Sequence, residues 1–211
     1  MFGGKNRMGK IYCIMGKSAS GKDTLFKKLL AECPKMKKLV LYTTRPMREG
    51  ETNGVEYNFV NPEDLDAFEK SGKLVEKRVY NTVHGPWIYA TVDDNQIKLA
   101  SRNYLAIETV ESYVKLRDYF GEKNVVPIMI TLDSGIRLQR ALNRENAQPV
   151  PQYREMCRRF LADEEDFSDD KLEAAGITKV YVNEDLKKCF DEIKAMIADP
   201  RSDNGKADKN A

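Results

Sequence analysis

The sequence has little of the material from which metal centres and disulfide frameworks are built. It contains one histidine, His84, and four scattered cysteines: Cys13, Cys33, Cys157 and Cys189. No two cysteines have C-x-x-C spacing, so a structural zinc site, which needs clustered thiolates and imidazoles, is disfavoured. Scattered cysteines are typical of proteins from reducing compartments, and we expect a cytoplasmic protein.

Two further absences narrow the range of functions. There is no run of about 18 apolar residues, and the first residues lack the apolar segment of a signal peptide, so we expect no membrane partner. The 35 basic and 33 acidic side chains leave a net charge of +2, which disfavours a large basic surface for nucleic acid. The 211 residues, 41% of them apolar, suffice for one substantial core with a small inserted lobe.

A glycine-bounded loop between a strand pattern and a helix pattern is the most informative feature present. It follows the apolar run 11–15 and precedes leucines at helical spacing, and it fits the P-loop pattern G-x-x-x-x-G-K-[ST] except at its last position. A glycine-containing turn with a surface lysine would explain the loop alone, but not its two flanks. Backbone N–H groups in such a loop bind phosphates, and the lysine adds a positive charge. We predict an ATP site at Gly16, Lys17, Ser18, Ala19, Ser20, Gly21, Lys22, Asp23 and Thr24.

Asp23 stands where the P-loop pattern has a hydroxyl that ligates Mg²⁺. A carboxylate is a good ligand for this cation, but it adds negative charge beside the phosphates. Three interpretations stay open. Asp23 holds the metal, directly or through a water; Thr24 supplies the hydroxyl instead; or Asp23 only stabilises the helix N-terminus. We favour the metal role for Asp23.

The order of the predicted elements indicates a doubly wound α/β fold with a parallel sheet flanked by helices. Strand patterns lie at 10–15, 39–42, 103–107, 125–130 and 180–182, and helix patterns at 22–33, 110–120, 134–145, 152–167 and 185–197. A β-rich insertion has strands predicted at 55–60, 74–80 and 87–92, and a helix that Asn61 and Pro62 begin. The lysine-rich segment 35–38 is expected to end the first helix. Residues 1–9 are expected to be flexible and residues 199–211 to be a disordered tail.

The polar segment 43–59 indicates a second anion site. Arg45 and Arg48 lie three residues apart on a loop, where both guanidinium groups can converge on one phosphate. Tyr57 adds a hydroxyl donor from the following strand. Without the P-loop, solvated arginines on a polar loop would be the simpler interpretation. Together the two segments predict a phosphotransferase.

This second segment resembles the signature of the guanylate kinase family. It contains T-T-R, R-x-G-E, N-G, Y and N-F-V in that order, and the later segment V-N-E-D-L at 182–186 is similar to the family's V-N-D-D-L. The resemblance runs from about residue 9 to residue 198. It implies a P-loop NTPase core over 10–198, an NMP-binding lobe at about 42–92, a helical lid at about 138–156, ATP with Mg²⁺, and GMP as the acceptor.

The resemblance also assigns roles to individual side chains. It implies that Arg45, Arg48, Tyr57 and His84 bind the acceptor phosphate, and that Glu76 pairs with the guanine edge. Together with Lys22, three lid arginines would stabilise the transferring phosphoryl group: Arg140, Arg144 and Arg159. Exposed basic residues among nearby acids are the alternative interpretation of these three.

Departures from the family pattern fall mainly on base recognition. Leu41 stands where many guanylate kinases have a serine, and Ile107-Glu108-Thr109 stands where the family has aspartate-x-aspartate. Strand alternation is expected to turn Glu108 away from the site. Two other functions therefore stay open: a kinase for another nucleoside monophosphate or a ribosyl bisphosphate, and a non-catalytic guanylate-kinase-like module. The intact P-loop favours an enzyme, which we expect to be a monomer or homodimer.

Overall fold

The P-loop pattern lies at the end of the central strand of a parallel sheet. The computed structural model describes residues 8–82 and 85–199. The strands and α-helices are, in chain order, β1 (Ile11–Met15), α1 (Lys22–Glu32), β2 (Met36–Lys38), β3 (Tyr42–Thr43), β4 (Asn58–Phe59), α2 (Pro62–Lys70), β5 (Leu74–Thr82), β6 (Gly85–Val92), β7 (Asn103–Ile107), α3 (Val110–Phe120), β8 (Val125–Thr131), α4 (Ser134–Asn146), α5 (Tyr153–Asp166), α6 (Asp169–Ala174), β9 (Val180–Val182) and α7 (Leu186–Ala198). A single-turn 3-10 helix at Glu122–Asn124 lies between α3 and β8.

The first sheet has the strand order β2-β7-β1-β8-β9, and all of its neighbouring strands are parallel. Every residue of β1 is buried because helices cover both faces. Ile11, Cys13 and Met15 pack on the face that α3 covers, whereas Tyr12 and Ile14 pack on the face of α1 and α7. This two-sided burial explains the unbroken apolar run before the P-loop and confirms the predicted fold class.

The second sheet forms the inserted lobe and has the order β4-β3-β6-β5. Its main part is the antiparallel hairpin of β5 and β6, in which Glu76 lies opposite Thr91 and Arg78 lies opposite Tyr89. Helix α2 buries Leu65 against this sheet. Helix α3 of the core contacts β5, so the lobe is positioned beside the carboxyl end of β7.

Several predicted elements are confirmed closely. The helix predicted at 110–120 is α3, and the strands predicted at 103–107 and 180–182 are β7 and β9. Asn61 precedes α2 as predicted, and its backbone N–H donates to the Asp64 carboxylate at 3.0 Å. Helix α6 is an addition that the sequence patterns do not predict, because it has only six residues and buries none of them.

The strand predicted at 39–42 is wrong. The edge strand of the core is β2, which lies in the lysine-rich segment that was expected to end the first helix. Met36 is buried there, and Lys38 Nζ donates to the carbonyl oxygens of Val55 and Glu56 at 2.7 and 3.0 Å. Lys38 is compatible with an edge strand because its methylene groups can pack on apolar surface while its ammonium group is hydrogen-bonded.

The other differences concern strand ends. The strand predicted at 55–60 is reduced to β4, because the chain turns at Gly54, which has φ of 79°. The hairpin strands extend further than predicted, to Thr82 and from Gly85. The predicted flexible start and disordered tail extend largely outside the described residues, and both remain predictions. In the described part of the chain, no helix is both long and apolar enough to cross a membrane.

Candidate active site

Two glycines shape the loop between β1 and α1. Gly16 has φ of 151°, and a Cβ atom there would lie 2.5 Å from the carbonyl oxygen of Ile130. Gly21 precedes the first turn of α1 with φ of 88°, and a Cβ atom there would lie 2.2 Å from Asn183 Nδ2. Any side chain at either position would clash, so the sequence requires glycine at both. The loop thereby keeps the close-wrapped backbone that binds phosphates.

Asn183, which directly follows the edge strand β9, fixes the loop. It is buried, its Nδ2 donates to the carbonyl oxygen of Ser20 at 2.7 Å, and its backbone N–H donates to Thr131 at 2.9 Å. The V-N-E-D-L segment at 182–186 therefore has a physical role: its asparagine ties the last strand of the core to the P-loop. The sequence pattern identified the segment but not this contact.

A cavity of about 820 Å³ lies in front of the loop. It is bounded by the P-loop, by the inserted lobe, by the carboxyl end of β7 and by α5. The sequence-predicted residues that line it are Gly16, Ser18, Lys22, Asp23, Arg48, Tyr57 and Arg159. The structure thus brings the predicted donor and acceptor sites to one cavity, as the carboxyl ends of parallel strands do in open α/β sheets.

Asp23 is the P-loop carboxylate best placed for a cation. Its side chain is 72% exposed, lines the cavity and lies 3.9 Å from Lys22 Nζ. Thr24 is exposed, yet in the described part of the chain it is not part of the cavity lining. The described residues include no group of three or more potential metal-ligating side chains. The Asp23 carboxylate at the cavity fits Mg²⁺, which is commonly held by one or two carboxylates together with substrate phosphates.

Two acids of α5 contact the P-loop directly. Asp163 Oδ2 accepts a hydrogen bond from the backbone N–H of Ser18 at 2.6 Å. Glu164 accepts from Lys17 Nζ and from Arg137 Nη2, both at 2.5 Å. These partners lower the pKa of Glu164, the hydrogen bond from Lys17 having the largest effect. The Asp163 carboxylate therefore occupies the Ser18 amide, one of the loop amides that would bind a phosphate oxygen.

The three predicted lid arginines differ in position. Arg159 lines the main cavity, and its Nη2 donates to Ser18 Oγ at 3.4 Å. Arg144 lines a second, much smaller pocket, which Ser18 and Arg159 also line. Arg140 is exposed on α4 and, within the described chain, lines neither cavity. Of the three, Arg159 lines the main cavity and contacts Ser18, and the catalytic roles of all three remain predictions.

Two arginines near the lid were missed by the sequence interpretation. Arg137 is buried on α4, pairs with Glu164 and lies 4.7 Å from the ring centroid of Phe160. Arg158 lines the main cavity and pairs with Glu155 at 2.7 Å. Neither residue belongs to the family motif that directed attention to its neighbours. The spacing of Arg137 along α4 and of Arg158 along α5 is the sequence signal that could have placed them beside the predicted lid arginines.

The predicted acceptor-phosphate site formed by Arg45, Arg48 and Tyr57, called here the acceptor clamp, has one exposed and one buried arginine. Arg48 is exposed and lines the cavity with Tyr57. Arg45 is 3% exposed and binds Glu51 in a two-bond pair of 3.0 and 2.7 Å. Its guanidinium carbon lies 5.4 Å from the Tyr57 ring centroid. The hydrogen bonds from Arg45 and from the Arg48 backbone lower the pKa of Glu51 to about 2. Within the described residues Arg45 is not part of the cavity lining, so its predicted contact with the acceptor phosphate remains a prediction.

Glu76 lies behind the cavity wall. Its carboxylate accepts hydrogen bonds from Thr91 Oγ1 and Ser112 Oγ, each at 3.0 Å. Arg78 lies next to it on the same face of β5, with Nε at 3.3 Å from Glu76 Oε2, and Arg78 lines the cavity. Within the described residues Glu76 is not part of that lining. Its predicted contact with guanine stays a prediction.

The expected direction of Glu108 is wrong. Glu108 does lie on the opposite face of the sheet from Ile107, as strand alternation requires. That face is the one on which Arg78 and Glu76 lie, so Glu108 points towards the site and not away from it. Glu108 is buried, lines the cavity, and its Oε2 lies 3.3 Å from Arg78 Nη2. Burial is the largest cause of its pKa rising to about 8, followed by the opposing effect of Arg78. The neighbouring Leu41 also lines the cavity as an apolar surface.

His84 lies outside the described residues, so its predicted phosphate contact remains a prediction.

Arg78 is the most consequential residue that the sequence interpretation missed. A signal was present, because residues two apart in a strand share a face and Arg78 follows Glu76 by two positions. Three aromatic side chains of the lobe also lie close together: the ring centroids of Tyr57 and Tyr89 are 5.5 Å apart, and those of Tyr80 and Tyr89 are 5.6 Å apart.

A P-loop that shares one cavity with a second, arginine-containing anion site defines a P-loop phosphotransferase. The guanylate kinase family model matches residues 8–200. A curated guanylate kinase from Oleidesulfovibrio alaskensis is 30% identical over 190 residues, covering 90% of this chain and 86% of that protein. One from Neisseria meningitidis serogroup A is 31% identical over 195 residues, covering 90% and 88%. The chain belongs to the guanylate kinase family and is a nucleoside monophosphate kinase.

The fold of this chain is also similar to that of a guanylate kinase of known structure. The crystal structure of a guanylate kinase from Anaplasma phagocytophilum superimposes with a TM-score of 0.60 at 24% sequence identity, covering 90% of this chain and 85% of that one. This similarity confirms the P-loop NTPase fold with its parallel sheet and flanking helices.

Proposed function

We propose that this chain transfers the γ-phosphoryl group of ATP to GMP, producing ADP and GDP. The observation that carries the proposal is the shared cavity, which Lys22 of the P-loop and Arg48 of the acceptor clamp both line. Phosphoryl transfer depends on holding the two phosphates in line and on placing positive charge around the moving group. One cavity with both sites meets these requirements.

The donor side is built from the P-loop and α5. The loop amides and Lys22 would bind the phosphates of ATP, with a phosphate oxygen replacing Asp163 at the Ser18 amide. Asp23 would hold Mg²⁺, which neutralises charge on the phosphates when it is bound. Arg159 reaches the cavity beside Ser18 and would stabilise the transferring phosphoryl group.

On the acceptor side, Arg48 and Tyr57 would bind the phosphate of GMP, and Arg45 would support them from beneath. A phosphate oxygen of GMP is ionised at neutral pH and can attack the γ-phosphorus without a general base. The chain therefore needs no side chain that removes a proton. Its task is to position the two nucleotides and to exclude water, which would otherwise hydrolyse ATP.

Two observations favour a second candidate, a kinase of the same type with another acceptor. Leu41 supplies no hydrogen bond in the region where a base would lie, and Glu76 is buried behind Arg78. A base pocket with different hydrogen-bonding groups selects a different base by orders of magnitude. We propose GMP as the principal acceptor and keep other nucleoside monophosphates and ribosyl bisphosphate as competing substrates.

The cellular setting is also part of the proposal. We propose a cytoplasmic enzyme whose partners are its nucleotides, acting as a monomer or homodimer without nucleic acid. The scattered cysteines and the near balance of charges support this setting. Sedimentation velocity at enzyme concentrations used for turnover would establish the number of chains in the active species.

The test is a coupled ADP-release assay with ATP and Mg²⁺ against a panel of acceptors: GMP, dGMP, AMP, UMP, CMP, dTMP and ribosyl bisphosphate. Selective turnover of GMP supports the proposal. Selective turnover of another acceptor would replace GMP while keeping the kinase. Absence of both ADP release and ATP binding, the latter measured by calorimetry, would instead indicate a non-catalytic module.

A further inference from the structure

The base-facing wall of the cavity contains an arginine that covers the expected guanine-binding carboxylate. The Glu76 side chain is 0% exposed, whereas that of Arg78 is 14% exposed and lines the cavity. Arg78 Nε lies 3.3 Å from Glu76 Oε2, and its Nη2 lies 3.5 Å from Glu76 Oε1. A nucleotide base entering the cavity therefore meets the guanidinium before it meets the carboxylate.

Glu76 is already occupied by protein donors. Thr91 Oγ1 donates to Oε1 and Ser112 Oγ donates to Oε2, each at 3.0 Å. Arg78 lies against both oxygens from the cavity side. A carboxylate with these contacts is well suited to anchoring the arginine. To bind the guanine edge itself, it would have to exchange these contacts for the base.

Arg78, in contrast, has donors left over. Its Nη2 is shared between Glu76 and Glu108 at 3.5 and 3.3 Å, which are long distances for charge-assisted bonds. Its Nη1 donates to no acceptor among the described residues, and its buried Nε has no hydrogen bond of good geometry there. Glu108 Oε1 is a second buried polar atom without a hydrogen bond in the described chain. Such unsatisfied groups beside a cavity indicate a polar ligand.

The surroundings of Arg78 favour a planar ligand. Tyr57, Tyr80 and Tyr89 line the same cavity, with Tyr89 packed edge-on against the other two. Leu41 adds an apolar surface without a donor. An aromatic base can pack among these side chains, and hydrogen bonds from a guanidinium would then fix its orientation.

We propose that Arg78, rather than Glu76, reads the acceptor base, donating two hydrogen bonds to a pair of adjacent acceptor atoms such as O6 and N7 of guanine. The two-donor fork of arginine matches this pair of atoms in geometry. Glu76 and Glu108 are positioning residues that hold the guanidinium towards the cavity. The inference rests on the proposed function and specifies how its acceptor is selected.

The proposal makes a distinctive prediction for substrate analogues. IMP keeps O6 and N7 but lacks the 2-amino group, so it should be used nearly as well as GMP. The 7-deaza analogue of GMP lacks N7 and should lose about 10- to 100-fold in kcat/KM. AMP presents an amino group in place of O6 and should be a poor acceptor. If Glu76 read the guanine edge, the order of IMP and 7-deaza-GMP would be reversed.

The experiment measures kcat/KM for GMP, IMP, 7-deaza-GMP and AMP, and Kd for the same four nucleotides by calorimetry without ATP. Wild-type protein alone decides the order, so the test does not depend on a variant that folds. In R78M the difference between GMP and 7-deaza-GMP should disappear, whereas in R78K part of it should remain. In E76Q both nucleotides should weaken by a similar factor, as expected for a residue that only positions Arg78.

IMP weaker than GMP by tenfold or more, with 7-deaza-GMP equal to GMP, would overturn the proposal and return base reading to Glu76. Equal binding of all four nucleotides would also overturn it, since no atom of the base would then be read. Failure of the proposed function would be distinguishable from failure of this inference. In that case no acceptor would be phosphorylated, but the Kd values would still show which atoms of the base the protein contacts.

Discussion

The Asp163 carboxylate accepts a hydrogen bond of 2.6 Å from the backbone N–H of Ser18, inside the predicted phosphate-binding loop. An anion from helix α5 thus occupies a position that suits a phosphate oxygen. Glu164 reinforces the contact by pairing with Lys17 at 2.5 Å. ATP has to displace Asp163 in order to use this amide, and the displacement costs part of the binding free energy.

Removing this competitor should therefore strengthen ATP binding. We expect D163A to lower the Kd for ATP with Mg²⁺ about 3- to 10-fold, which is less than the full value of a charge-assisted hydrogen bond because the site is partly exposed. Calorimetry measures the effect. E165A removes the same charge from the exposed side of the same helix and is the matched control. ATP affinity unchanged or weakened in D163A relative to E165A would contradict the competition.

The acceptor clamp predicts a separation of substrate effects. R48A should raise the KM for GMP about 10- to 100-fold while changing the KM for ATP less than about threefold, because the proposal gives Arg48 a charged contact to the acceptor phosphate only. Initial-rate kinetics with each substrate varied in turn provide both constants. R102A, which removes an exposed arginine away from the cavity, should leave both unchanged. Equal losses for the two substrates in R48A would argue against the clamp.

Arg45 should behave differently from Arg48. It is 3% exposed and bound to Glu51 through two hydrogen bonds, so R45A leaves a carboxylate without its partner and a gap beneath Tyr57. We expect R45A to lower Tm as well as the affinity for GMP, whereas R48A should leave Tm unchanged. Differential scanning fluorimetry of the two variants measures this contrast. Equal Tm values would mean that the Arg45–Glu51 pair does not stabilise the lobe.

Glu108 predicts a pH-dependent stability. Its folded-state pKa is about 8, above the ordinary value of 4.5, so the folded protein holds a proton that the unfolded chain has lost between these two pH values. Stability should therefore fall as pH rises through this window and level off above about pH 8. E108Q cannot ionise, and its stability relative to wild type should increase across the same window. Urea denaturation at pH 5, 7 and 9 would reveal a constant difference if Glu108 were not buried in the folded state.

The sequence predicted the parts of the site whose chemistry is local. The P-loop depends on short-range backbone geometry at Gly16 and Gly21, and the apolar run of β1 depends on burial between two helical layers, so both were recognisable from neighbouring residues. The V-N-E-D-L segment was recognised only as a motif. Its contact between Asn183 and Ser20 joins positions 163 residues apart, and no local pattern reveals such a contact.

Sequence reasoning failed at the edge of the core sheet and at the base-facing wall of the lobe. Residues 35–38 were interpreted from their charge as the end of a helix, but Lys38 finds carbonyl partners at 55–56, and the segment forms β2. The family resemblance predicts that Glu76 contacts the base. Arg78, two residues further along the strand, comes between Glu76 and the cavity, and only the side-chain arrangement in three dimensions shows this.

The most direct test of the central claim follows the phosphorus atoms of ATP and GMP by ³¹P nuclear magnetic resonance with Mg²⁺ present. The wild-type chain should form one GDP for each ADP, and K22A, compared with K27A as a control on the same helix, should be slower by at least about 100-fold because a charge at the transferring phosphate is lost. ADP that accumulates without GDP, or K22A that retains wild-type turnover, would contradict the assignment of the P-loop and the acceptor clamp to one phosphotransferase site.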